Sequence, residues 1–196
     1  MSIDLSWIPL GADAHVVKVS GRVFEAGSAF VQHRARCDLY HSALEVRVPD
    51  GRFVIEQAPI PDRHGERRGV VAEGAVGMKS LGRFRIFRYE IRCWRDGRIP
   101  DIDEAIGSPV RLTDDPDATR RLLDILPSIP TPTWGRDEFA TGEMWNSNSI
   151  TSWVLTRSGI DLAGIDPPRG GRAPGWHAGR IVAARAVGYT DLPRRR

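Results

Sequence analysis

Four consecutive polar residues precede a stretch whose apolar spacing predicts a helix: Asn146, Ser147, Asn148 and Ser149. Serine and asparagine are preferred helix caps, and capping alone accounts for one of the four. A serine at a helix N-terminus can also act as a nucleophile, because free backbone N–H groups there bind an oxyanion and the helix dipole favours negative charge. Ser149 is therefore the candidate nucleophile, and its own N–H is a candidate oxyanion donor.

His41 stands at the beginning of the clearest predicted strand. Leu44, Val46 and Val48 alternate with charged residues, which is typical of a strand with one buried face. The turn signal at residues 49–51 (Pro-Asp-Gly) and the returning strand predicted over residues 52–57 (Arg-Phe-Val-Ile-Glu-Gln) together indicate a hairpin. A lone histidine at a strand edge is usually structural, so a role for His41 depends on other segments.

Three segments together resemble the circularly permuted papain-like families: residues 40–46 (Tyr-His-Ser-Ala-Leu-Glu-Val), 53–59 (Phe-Val-Ile-Glu-Gln-Ala-Pro) and 148–154 (Asn-Ser-Ile-Thr-Ser-Trp-Val). These families include the lecithin:retinol acyltransferase-like proteins, related phospholipid acyltransferases and the PPPDE peptidases. In them a histidine begins a strand, a second polar residue follows on the next strand, and an Asn-Cys pair starts a helix much later. The match lies in these short motifs, and the order of histidine first and nucleophile last is the permuted order.

The resemblance implies that His41 is the general base, that Glu56 occupies the orienting position and that Ser149 replaces the nucleophilic cysteine. It also implies an α+β fold with an antiparallel sheet, packed helices and permuted papain-like architecture. A serine needs the histidine to remove its proton during attack, with the glutamate steadying the imidazolium. The expected activity is a hydrolase or acyltransferase acting on an amide, ester or thioester through an acyl-Ser149 intermediate, with no cofactor.

The alternative hypothesis is a catalytically inactive papain-like domain that binds a peptide or lipid-like partner. Ser147 is the fallback nucleophile and His177 the runner-up base, whereas Cys37 is not favoured as a substitute. A tight turn at Asp50 and Gly51 would pair Glu56 with Glu45, on the face of His41 but roughly 13 Å along the strand. In that register another group must orient the histidine.

Substrate-binding residues are expected on both sides of the candidate nucleophile: Trp145, Asn148, Arg172 and Trp176. The Gly- and Pro-rich residues 167–175 predict a loop, which is either an ordinary surface loop or a wall of the substrate cleft. In the second case an arginine of this loop would bind an anionic group.

The remaining predicted elements are coarser. We expect an opening strand at residues 16–19, a helix over 20–34, a short strand at 70–71 and a strand over 83–95 with a bend near Phe87. A helix capped by Thr113 or Asp114 should end near Leu126, and a helix over 148–158 should be followed by Gly159 at its C′ position. Residues 180–187 predict a closing strand.

Composition favours an ordinary globular protein, with 41% hydrophobic and 27% charged residues among 196. We expect one domain over residues 1–190 and a basic tail over 191–196. No secretory signal or membrane span is predicted, which makes the cytoplasm the default location. The two cysteines and five histidines form no metal-binding motif. Arginines are interspersed with acidic residues, so the net charge of +3 does not favour nucleic acid, and the expected partner is a small molecule, peptide or lipid.

Overall fold

The computed structural model describes residues 1–10, 33, 35–60, 69–99, 101–107 and 109–190, with the side chains of 187–190 excepted. It is an α+β structure in which three helices pack against an open, six-stranded antiparallel sheet, and the predicted α+β class with an antiparallel sheet and packed helices is confirmed. The strand order is β4-β5-β3-β2-β1-β6. The strands are β1 Ser2–Pro9, β2 Tyr40–Val48, β3 Gly51–Pro59, β4 Val70–Ala75, β5 Arg88–Arg95 and β6 Val110–Thr113. The helices are α1 Pro116–Ile125, α2 Ser147–Arg157 and α3 Trp176–Thr190.

The predicted hairpin is confirmed as β2 and β3, but its register differs from the tight-turn expectation. The loop is formed by Pro49 and Asp50, because Val48 pairs with Gly51. Glu45 consequently pairs with Val54 and not with Glu56. The pairing of β2 with β3 ends at Leu44 and Ile55, before the strand reaches His41.

The two faces of the sheet have different surroundings. The face toward the helices carries the main core, which includes Leu5, Leu44 and Ile55 and is completed by apolar residues of α2 and α3. The opposite face carries a smaller buried cluster of Ile8, Ala43, Val54 and Ile99. Since successive side chains of a strand alternate between faces, this division decides which polar residues can meet at α2.

Two predicted strands are corrected by the structure. Residues 180–187 lie in α3, where a run rich in alanine favours helix over strand. The strand predicted over 83–95 begins only at Arg88, because Lys79–Arg83 and Arg85–Phe87 form 3₁₀ turns. The reversal of hydrophobic phase near Phe87 therefore marks the change from 3₁₀ turn to strand.

The helix boundaries lie close to those expected. The cap of α1 is Asp115, one residue beyond the expected positions, and its carboxylate accepts hydrogen bonds from the N–H groups of Asp117 and Ala118. After α2, Gly159 adopts a φ of 85°, as a C′ glycine does. The strands β1 and β6 were not predicted, and β4 was predicted only in part. The strand predicted at 16–19 lies outside the described residues, as does the helix predicted over 20–34 except for His33, which lies in a turn with a φ of 50°. The basic tail at 191–196 also lies outside the described residues.

Candidate functional site

The residues at the start of α2 form a capping box. The Asn146 side-chain oxygen accepts hydrogen bonds from the N–H of Asn148 at 2.9 Å and of Ser149 at 3.3 Å. The Ser149 hydroxyl in turn accepts the Asn146 N–H at 3.1 Å and donates to the Met144 carbonyl at 3.2 Å. Ser149 is 0% exposed. The hydroxyl and the N–H that were expected to attack and to bind an oxyanion are thus both used by the helix cap.

Asn148 connects three parts of the fold. Its side-chain amide donates to the carbonyls of Tyr40 at 3.0 Å and of Pro174 at 2.9 Å, and its oxygen accepts the Ser42 hydroxyl at 2.9 Å. The residue is buried. Asn148 therefore joins the start of α2 to β2 and to the loop before α3, and its hydrogen-bonding groups are occupied by the protein itself.

The structure does not bring His41 to Ser149. Ser42 faces α2, as its bond to Asn148 shows, and the neighbouring His41 belongs to the opposite face. His41 pairs with Ile8, a member of the small cluster on that opposite face. Burial lowers the pKa of His41 from 6.5 to about 4, whereas a carboxylate placed to orient the ring would raise it. His41 is therefore neutral near pH 7, and no carboxylate of the described residues contributes to the shift of its pKa.

Glu56 shares the face of His41, but its carboxylate binds Arg92. Arg92 donates to Glu56 at 2.9 Å and to Glu90 at 2.5 Å. The three side chains are 11%, 9% and 2% exposed for Glu56, Arg92 and Glu90. Burial raises the pKa of Glu56, Arg92 lowers it and Glu90 raises it further. This Glu–Arg–Glu cluster joins β3 to β5 and accounts for Glu56 structurally.

The other expected substrate-binding residues contribute mainly to packing. Trp145 is buried and lies edge-on to Phe139, with the ring centroids 5.2 Å apart. Trp176 is buried against Trp7 at a centroid distance of 4.9 Å. The Arg172 carbonyl accepts the Tyr40 N–H, and the Arg172 N–H donates to the Asp38 carbonyl. The loop that contains Arg172 is therefore hydrogen-bonded to the chain at the start of β2.

The fallback residues lie near the beginnings of two helices. The Glu143 carboxylate accepts the N–H groups of Gly175 at 3.0 Å and His177 at 3.2 Å, and so holds the start of α3 beside the start of α2. Ser147 is half-buried at the first position of α2, and His177 is exposed. Cys37 is half-buried and reduced.

A surface formed by residues 78–88, which we call the basic–apolar segment, was not predicted from the sequence. It contains Lys79, Arg83, Arg85 and Arg88 but no acidic residue, and Met78, Phe84 and Ile86 are exposed within it. Its beginning borders an open groove of about 610 Å³ between residues 77–80 and 133–138. The signal was a run of four cations without an acid over residues 79–88, and the strand prediction obscured it.

Comparison with protein-family models, curated proteins and solved structures found no match to this chain. Among the described residues, no helix is both long and apolar enough to cross a bilayer. Within the same ranges, no three His, Cys, Asp or Glu side chains lie together as a metal site would require.

Proposed function

We propose that this protein is a non-catalytic binding module that takes a lipid or peptide partner on its surface. The single observation that carries the proposal is the placement of Ser149 and His41 with respect to the sheet. The serine is buried within a capping box on the helix side, and the histidine belongs to the other side. An acyl-Ser149 mechanism needs the two groups within about 3–4 Å of each other.

Electrostatics support the same conclusion. A histidine acts best as a general base when its pKa lies near the working pH, and burial holds the pKa of His41 at about 4. Glu56 is bound to Arg92 and is not available to steady an imidazolium. The N–H groups of Asn148 and Ser149, which would stabilise an oxyanion, already donate to Asn146.

Exposed apolar side chains support binding. Three of the large apolar side chains exposed in the described structure fall within the basic–apolar segment, namely Met78, Phe84 and Ile86. Exposed apolar groups that cluster together mark sites of association more often than scattered ones do. The partner classes that such a surface suits are lipid and peptide.

A fluorophosphonate probe for reactive serines tests the non-catalytic part of this proposal. We expect no labelling of the wild-type chain, while a known serine hydrolase in the same reaction is labelled. Labelling that disappears in S149A and H41A would overturn the proposal, because only an activated Ser149 could produce it. Circular dichroism and gel filtration of each variant separate lost reactivity from lost folding.

A second candidate rests on the adjacency of the two helix starts. Ser147 is partly accessible, and His177 is the second residue of α3, whose start is held by Glu143. This pair would perform the same acyl transfer by a different nucleophile and base. Probe labelling that persists in S149A but disappears in both S147A and H177Q would support this enzyme and overturn the binding module.

A further inference from the structure

We propose that the basic–apolar segment, residues 78–88, docks the protein onto an anionic lipid surface. This inference rests on the proposed non-catalytic function and names its partner. The segment lies between β4 and β5 and contains the 3₁₀ turns Lys79–Arg83 and Arg85–Phe87, neither of which has a buried residue.

Exposed apolar side chains lie in and beside the two 3₁₀ turns. The N–H of Leu81 bonds the Met78 carbonyl at 3.0 Å, and the N–H of Phe84 bonds the Leu81 carbonyl at 2.9 Å. Met78 and Phe84 are the residues that flank the first turn, and both have extended backbone. They are 52% and 47% exposed, and Ile86 is 76% exposed. The chain thus presents three large apolar groups to its surroundings within nine residues.

The charge of the segment complements an anionic surface. Its four cations have no acid among them, although Arg88 pairs with Glu73 of β4. The Arg83 guanidinium lies over the Phe84 ring at 4.7 Å, which places a cation directly beside an apolar group. The nearest acids across the groove have internal partners, since Asp137 accepts the N–H groups of Thr141 and Gly142. Glu138 likewise accepts the N–H of Thr133 at 3.3 Å.

The high exposure of Ile86 favours a membrane over a peptide. Peptide recognition relies on anchors that are enclosed by pockets, and a side chain that is 76% exposed has little protein around it to form one. A bilayer accepts apolar side chains that stand out from a protein, and its anionic headgroups attract the flanking cations. The combination of protruding apolar groups and adjacent cations therefore points to lipid.

Vesicle co-sedimentation of the full chain tests the inference. We expect binding to vesicles of phosphatidylcholine mixed with phosphatidylglycerol, much weaker binding to phosphatidylcholine alone, and weakening with added salt. K79Q/R83Q should lower the affinity about thirtyfold, as expected for two cations at an anionic surface. F84S/I86S should lower it at least about tenfold.

Matched controls remove similar groups elsewhere on the surface. I106S/V110S replaces two exposed apolar residues near the opposite edge of the sheet, and R95Q/R98Q removes two exposed arginines. Both should bind mixed vesicles as the wild type does. Equal losses in the controls and in the segment variants would overturn the inference, because binding would then reflect general charge or stickiness.

Two further outcomes contradict the lipid assignment. Absence of wild-type binding to mixed vesicles overturns it, and it leaves the non-catalytic module intact if the serine probe also fails to react. The protein is also tested in the same way with soluble polyglutamate. Binding to this polymer that is as strong in F84S/I86S as in the wild type would identify a site for acidic polymers and overturn the assignment of a membrane as the partner. Probe labelling at Ser149 would instead refute the proposed function itself, whatever the vesicles show.

Discussion

Asn148 contributes most directly to the junction between the sheet and the N-terminal ends of α2 and α3. Replacing it with alanine leaves the Tyr40 carbonyl and the Ser42 hydroxyl buried without this partner, whereas Pro174 keeps its bond from Asn146. We expect N148A to lower the free energy of unfolding by about 2–3 kcal/mol. Urea denaturation measures the loss, with S147A as control.

The S147A control changes the adjacent, half-buried serine of the same helix turn. The free energy of unfolding of S147A should stay within about 0.5 kcal/mol of the wild-type value, since none of the mechanisms that make a single substitution strongly destabilising applies to it. If the two substitutions cost the same, the hydrogen bonds of Asn148 are not what stabilises this junction.

His41 should make stability depend on pH. Its pKa falls from 6.5 to about 4 on folding, so the unfolded chain binds the proton more readily between these values. The contribution of the buried neutral ring is complete above its unfolded pKa and disappears as the pH falls through the folded pKa. Allowing for its partial exposure, we expect the wild type to lose about 2 kcal/mol more than H41Q between about pH 7 and pH 4.

The measurement is urea unfolding of the two proteins across that pH range, with H177Q as the control that removes an exposed imidazole. H177Q should keep the wild-type slope. If the free energy of unfolding of H41Q falls with pH as steeply as that of the wild type, a group other than His41 causes the loss of stability in acid.

At the scale of residues, the alternation of side chains along β2 carries information about the site that the motif resemblance did not take into account. Leu44, Val46 and Val48 were correctly assigned to the buried face of β2. The same alternation puts His41 with Glu45 on the other face, away from the helix that contains Ser149. Helix capping was likewise predictable from residue types, but the bonds of Asn148 to β2 were not, because they join residues more than a hundred positions apart.

At the scale of elements, the contact between β3 and β5 places three charged side chains, Glu56, Glu90 and Arg92, in nearly buried positions. R92M leaves the carboxylates of Glu56 and Glu90 buried without their cation, and we expect a loss of about 3–5 kcal/mol near pH 7. The loss should shrink as the pH falls, because burial already raises the pKa of Glu56 and Arg92 opposes this, so the variant protonates more easily.

Arg88 provides the matched control on the same strand. Its pair with Glu73 is 41% and 34% exposed, and R88M should cost no more than about 1 kcal/mol. Thermal unfolding followed by circular dichroism at two pH values compares the variants. An R92M loss that grows on acidification would contradict the assignment of buried charge repulsion.

Elements were predictable where the residues that specify them lie close together in the sequence. The β2–β3 hairpin and α2 are specified by alternation, turn residues and caps within a few positions, and both were predicted. The strand β1 also alternates, with Ile3, Leu5 and Trp7 separated by polar residues, and this signal was overlooked. The short β6 exists because β1 offers it an edge, which no local pattern reveals. The error over α3 arose because its branched residues Ile181 and Val182 suit either structure.

For the whole molecule, the strand order predicts how stability is distributed. The strands β3, β2 and β1 each pair on both sides, and β2 and β3 also contact α2. The strand β6 has four residues at one edge, and the basic–apolar segment has no buried residue within its 3₁₀ turns. Regions with few buried contacts open locally at low free energy, while the centre opens only on global unfolding.

Native-state hydrogen exchange measures this distribution directly. We expect the amides of β2 and β3 to exchange with nearly the global free energy of unfolding, and those of β6 and of residues 79–87 to exchange faster by several powers of ten. Mixed anionic vesicles should slow exchange in residues 79–87 while leaving β6 unchanged, because only the first region is proposed to meet the lipid. Slowing in β6 alone would place the docking surface at the opposite edge of the sheet.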